Sequence, residues 1–127
     1  MMDTDTRERL IRAYYDAVDT ESYPDFEDIL TADAEHIRPG QGVLHGGAAV
    51  REYYETERSA RNTTHDVDRI VHDDEMTLCL VTVTGEKPDG PFRRPVVTTV
   101  TFDETAERIA SYHVYRGYAA PVDATDA

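Results

Sequence analysis

His36 and Arg38 stand two residues apart, so a strand through them presents an imidazole and a guanidinium on one face. An imidazole can serve as a general base when an acid orients it; the alternative is a histidine that is simply hydrogen-bonded. A guanidinium is a planar fork that matches two oxygens of a carboxylate, sulfate or phosphate. The run that carries this pair, residues 34–47, is bent back by Pro39-Gly40 and ends in Gly46-Gly47. Those glycines allow a tight entry into the next helix. A short strand turned back on itself and closed by a helix start outlines a pocket for a small molecule.

Other chemistries find little support. The five histidines, His36, His45, His65, His72 and His113, show no metal-ligand spacing, so no metal is expected. No glycine pattern forms a phosphate cradle, and no nucleotide or other cofactor is implied. Cys79 is the single cysteine and lies in an apolar run, which suits a buried, inert thiol.

These residues need elements to position them. Thr4 or Asp5 is expected to cap a first helix that ends near residue 21, with Leu10, Tyr14, Ala17 and Val18 as its apolar stripe. On this reading Arg7, Glu8, Arg12 and Asp16 face outward. Pro24 opens a short second helix that buries Phe26, Ile29 and Leu30, and Thr31-Ala32-Asp33 ends it. Residues 35–38 read as a brief strand and 42–44 continue extended. A third helix covers about 48–59. Strand signals follow at 64–72, 76–86, 92–103 and 108–118, joined by short turns, which predicts an antiparallel meander.

Helices ahead of a single antiparallel sheet indicate an α+β domain. The 127 residues fit one domain, with a core of about 7–118 and an acidic tail, 119–127, that is expected to fray. Twenty-six acidic residues against 13 basic ones give a net charge of −13. That balance disfavours nucleic acid and anionic membranes as partners. Lys87 is the only lysine. An acid-rich, lysine-poor surface suits high salt, and an ordinary acidic protein is the alternative. The polar N-terminus carries no secretory pattern, and no apolar run is long enough to span a bilayer, so a cytoplasmic location is expected.

The layout resembles the SnoaL-like branch of the nuclear transport factor 2-like superfamily, from about residue 7 to residue 118. The match rests on Tyr14-Tyr15-Asp16-Ala17-Val18, Ile29-Leu30-Thr31-Ala32-Asp33-Ala34 and Arg38-Pro39-Gly40 through His45-Gly46-Gly47. It extends to Ala49-Val50-Arg51-Glu52-Tyr53-Tyr54 and Arg108-Ile109-Ala110-Ser111-Tyr112-His113-Val114-Tyr115. The resemblance implies a cone of strongly curved antiparallel sheet wrapped around three N-terminal helices, usually dimeric. Members include ketosteroid isomerase, polyketide cyclases, dehydratases and epoxide hydrolases, so fold does not deliver function. The isomerase's base aligns with Arg38, its tyrosine with Tyr14 and its second acid with Thr98, so one group of three is kept. Arginine stays charged and cannot remove a proton, which excludes steroid-type isomerisation. The cyclases' acid aligns with Val114 and is also missing.

The family's inward register places Tyr112, Val114 and Arg116 on the last strand, with Val96, Thr98 and Val100 on the one before. Leu80, Thr82 and Thr84 line the next, while Tyr14, His36 and Arg38 complete the cup. Tyr14, His36 and Arg38 are the candidate catalytic groups. Two inward arginines need a counter-charge. An anionic or carboxylate-bearing ligand supplies it on one reading; on the other, Arg38 pairs with Glu35, Asp16 or Asp19 and Arg116 reaches the rim. Three functions follow: a small-molecule binder, a cofactor-free lyase, isomerase or hydrolase, or a dimeric scaffold with a filled cone. Apolar and β-branched residues on both sheet faces predict a homodimer through the outer face.

Overall fold

The computed structural model describes residues 2–116, with the Arg116 side chain outside that description. The expected tail, 119–127, therefore lies outside the described residues, as does the end of the expected core at 117–118. Helix α1 spans Thr4–Asp19, capped by the Asp3 side chain, which accepts from the Thr6 N–H at 2.7 Å. Its buried stripe is Leu10, Ile11, Tyr14, Tyr15, Ala17 and Val18. A 3-10 turn over Tyr23–Asp25 begins around Pro24 and leads into the single turn of α2, Phe26–Ile29. Strand β1, Leu30–Arg38, starts at once, so Thr31-Ala32-Asp33 belongs to a strand and not to a helix end. Pairing of Leu30 with Ile109 draws the chain into the sheet as soon as α2 stops.

Strand β2 covers Gly42–His45, and α3 covers Gly47–Thr56. At Gly46 the backbone has φ +92°, and a Cβ there would run into the Ala32 carbonyl, so only glycine fits this entry. Strands β3 (Arg61–His72), β4 (Thr77–Lys87), β5 (Gly90–Asp103) and β6 (Arg108–Arg116) form the antiparallel meander. The six strands lie in the order β2-β1-β6-β5-β4-β3, and β1 joins β6 in parallel. The result is an α+β cone: three helices against a curved, unclosed sheet. Among the described residues no helix is long and apolar enough to cross a membrane.

Two expected orientations are corrected. Arg7 does not face outward; it is 3% exposed. Its Nη1 donates to the carbonyls of Asp73 and Met76 and to Thr77 Oγ1, and its Nη2 donates to the Asp74 carbonyl. It thereby clamps α1 to the β3–β4 turn. On β4, Leu80 and Thr82 lie on the outer face, not in the cup. Lys87 pairs with Gly90 across a two-residue turn, so even-numbered residues of β5 face odd-numbered ones of β4. Cys79 thus opposes Thr98, Val81 opposes Val96, and these pairs point inward. Leu80 is 39% exposed opposite Val97, and Thr82 donates to Asp68 at 2.7 Å. Thr84, opposite Thr64, shares the outer phase.

Candidate functional site

The narrow end of the cone is filled by aromatic rings. Tyr14 packs on Tyr15, Phe26 and Tyr112 with ring centroids 5.4, 5.3 and 4.4 Å away. Phe26 also touches Tyr54, at 5.0 Å. Thr98 and Val100 are fully buried beneath this layer, and Thr98 Oγ1 bonds the Tyr15 hydroxyl at 3.0 Å. Neither reaches the cavity.

A directional chain of hydrogen bonds runs through the cluster. Gln41 Oε1 lies 3.1 Å from His36 Nδ1, so that nitrogen carries the ring proton. His36 Nε2 then accepts from the Tyr14 hydroxyl at 2.7 Å. Tyr54 donates to Tyr14 at 3.0 Å, and Arg38 Nη1 donates to Tyr54 at 3.1 Å. His36 is 0% exposed with both nitrogens taken. Burial pushes its pKa down to about 4; Gln41 opposes this, and Arg38 and His113 add to it. The Tyr14 hydroxyl is equally committed, its pKa raised first by burial and then by Tyr54. Tyr14 and His36 therefore sit behind the cavity wall. What the chain does is hold Arg38.

Above this layer the cone opens into a cavity of about 170 Å³. Arg38 and Pro39 line it from β1, Tyr53 from α3, and Arg58, Ser59 and Ala60 from the segment after α3. Val96, Tyr112 and Val114 form the floor strands, as the inward register implies for them, and Val83, Phe92 and Arg94 extend it. Lys87 lines the rim. The backbone of Arg116 pairs with Val96, but its side chain lies outside the described residues.

No carboxylate among the described residues lines this space. Arg38 forms no ion pair with any of them: Glu35 is bonded to His113 at 3.1 Å and Asp19 to His65 at 2.6 Å. The tyrosines around Arg38, Tyr54 foremost, raise its pKa against the effect of burial, so the guanidinium stays charged. Arg58 is 7% exposed and, among the described residues, donates only to neutral oxygens, the Tyr23 hydroxyl at 3.2 Å and Thr63 Oγ1 at 3.0 Å. Its Nε is buried with no hydrogen-bond partner among the described residues. Arg58 also lies 5.0 Å over the Tyr54 ring.

Residues 11–112 match the SnoaL-like domain. The chain belongs to the SnoaL-like domain family. No curated protein matches it. Among solved structures it is similar to an NTF2-like protein of unknown function from Burkholderia pseudomallei, at 16% identity and TM-score 0.78, over 91% of this chain and 92% of that one. It is also similar to a protein from Shewanella putrefaciens that carries the name SnoaL-like polyketide cyclase, at 13% identity and TM-score 0.77, over 97% and 96%. An LEH-like epoxide hydrolase of M. tuberculosis aligns at 17% identity and TM-score 0.73, over 86% and 80%. At these identities the likeness establishes the fold.

Sequence reasoning missed four polar groups of this SnoaL-like cavity, Arg58, Thr63, Arg94 and His65. Arg58 fell inside the third helix expected over 48–59, and Thr63 between that helix and the strand expected from 64. Arg94 continues the alternation of Val96, Thr98 and Val100 and was findable by extending it. His65 lines the cavity from β3, stacked on Tyr15 at 4.8 Å. Its Nδ1 contacts Asp19 from the end of α1, a pairing between residues 46 apart that spacing alone does not reveal. Among the described residues no cluster of His, Cys, Asp or Glu is placed to hold a metal ion.

Proposed function

We propose that this SnoaL-like protein binds a small organic anion in its cavity, with Arg38 and Arg58 as the receptor. One observation carries the reading: two inward guanidiniums are held only by neutral hydrogen-bond partners among the described residues. A charge removed from water without a counter-ion is costly, and a carboxylate, sulfate or phosphate offsets that cost with paired, charge-assisted bonds. Tyr53, Phe92, Val96 and Val114 supply an apolar wall for the organic part. A fully plugged cone is disfavoured by the open upper half.

Calorimetric titration with benzoate, phenyl sulfate and phenyl phosphate in 0.15 M salt (about the ionic strength at which the negative shell is screened beyond roughly 8 Å) tests the site. Arg38→Ala is expected to weaken binding about 10- to 100-fold while leaving the melting temperature unchanged. Arg38→Lys, which keeps charge but loses the fork, falls between. A lowered melting temperature with unaltered binding assigns Arg38 to the fold and refutes the reading.

The same proposal has a homodimer form through the outer sheet face, where Leu80 and Tyr115 are 39% and 48% exposed. The acid-rich, lysine-poor composition supports a cytoplasmic protein of a high-salt cell.

A further inference from the structure

Asp19 ends α1 with its carboxylate fully engaged. Oδ1 accepts from Thr63 Oγ1 at 2.9 Å and faces His65 Nδ1 at 2.6 Å, while Oδ2 accepts the His65 backbone N–H at 2.8 Å. Burial opposes ionisation, but the bonds from His65 and Thr63 outweigh it and hold the Asp19 pKa below its ordinary value. Thr63 in turn accepts from Arg58, so the pair is tied to the cationic wall.

A purely structural tie between α1 and β3 needs only the backbone N–H and Thr63. It does not require an imidazole, nor one turned to the cavity. With Nδ1 donating to Asp19, the ring's basic lone pair lies on Nε2, and no group among the described residues bonds that atom. The side chain is 10% exposed, lines the cavity, and is braced by the stacked Tyr15 ring. Tyr15 is itself pinned by Thr98 and by the Tyr112 hydroxyl at 3.2 Å. A carboxylate-oriented imidazole facing a cavity walled by guanidiniums has the parts of a proton-transfer site.

We propose that His65 is a general base that removes a carbon-bound proton adjacent to a carbonyl of the anion held by Arg38 and Arg58, with Asp19 as its positioning residue. The inference rests on the anion-binding reading above. In the step, the C–H bond breaks and its proton forms an N–H bond at Nε2. The C–H electron pair moves into a C=C bond as the carbonyl electrons shift onto oxygen, giving an enolate. The guanidiniums stabilise the enolate, and ionised Asp19 stabilises the imidazolium. Return of a proton to the other face of the carbon completes an isomerisation, and exchange of the Nε2 proton with solvent before its return completes a solvent exchange, with no oxidant, reductant or cofactor consumed.

The test uses 4-oxo-4-phenylbutanoate, which joins a carboxylate to a ketone with exchangeable C3 protons. Its binding is measured by calorimetry, and its C3 exchange in D2O by proton NMR. The wild type is expected to catalyse saturable exchange. His65→Gln should bind the probe equally and exchange it about 100-fold more slowly. Asp19→Asn should lower kcat with KM little changed and shift the ring tautomer towards Nε2–H. Binding without exchange above the buffer rate overturns the proposal while the binding reading stands. No binding overturns the binding reading, and the proposal falls with it. Should His65→Gln not fold, nitrogen NMR of the wild type decides: a bare Nε2 on His65 supports the assignment, and a protonated Nε2 overturns it.

Discussion

The imidazole of His36 stabilises the fold only while it is neutral. Its pKa falls from 6.5 to about 4 on burial, so the unfolded chain takes up the proton first as pH drops. The contribution is complete above pH 6.5 and is lost as pH falls towards 4, a change of roughly 3 kcal/mol. Denaturant melts at pH 7 and pH 4.5 should therefore show a steep loss of stability, and His36→Gln should flatten it. Equal slopes in the two proteins would refute the buried neutral ring. Strand alternation put His36 on one face with Arg38 and the family resemblance turned that face inward, but neither gave its depth, because the covering rings of Tyr14 and Tyr112 come from residues far away in the chain. His65 was passed over for the same reason: its partner, Asp19, belongs to another element.

A side chain that joins two elements shows where its chemistry matters. Arg7 joins the first turn of α1 to carbonyls of the β3–β4 turn and lies 5.4 Å over the Phe102 ring. Arg7→Ala is expected to cost about 3 kcal/mol in thermal or urea unfolding, and Arg7→Lys to recover only part, because one ammonium cannot replace the fork. A loss under about 0.5 kcal/mol would mean the clamp is incidental. Sequence patterning gave the order of helices and strands because caps, prolines and two-residue turns are local signals. It failed on the phase of β4, where Leu80 and Val81 are both apolar and no polar alternation marks the inner face. Counting across the Lys87–Gly90 turn settles that phase without a structure. Arg7 was misplaced because a charged residue beside an apolar stripe reads as solvent-facing until its carbonyl partners are known.

Over the whole molecule, charge is sorted by location. Acids outnumber bases by 26 to 13, yet Arg38, Arg58, Lys87 and Arg94 line the cavity, and no described acid does. The cone architecture was legible from the order of its parts, and the inward arginine at Arg38 from the register that the family resemblance implies. Absence of a counter-charge was not legible, since Glu35, Asp16 and Asp19 all stood near enough in sequence to supply one. A crystal structure with 4-bromobenzoate, its bromine located by anomalous scattering, tests the receptor most directly. The carboxylate should lie within hydrogen-bond distance of the Arg38 guanidinium, with the ring against Tyr53 and Phe92. An empty cavity in which a protein carboxylate has closed on Arg38 would contradict the account.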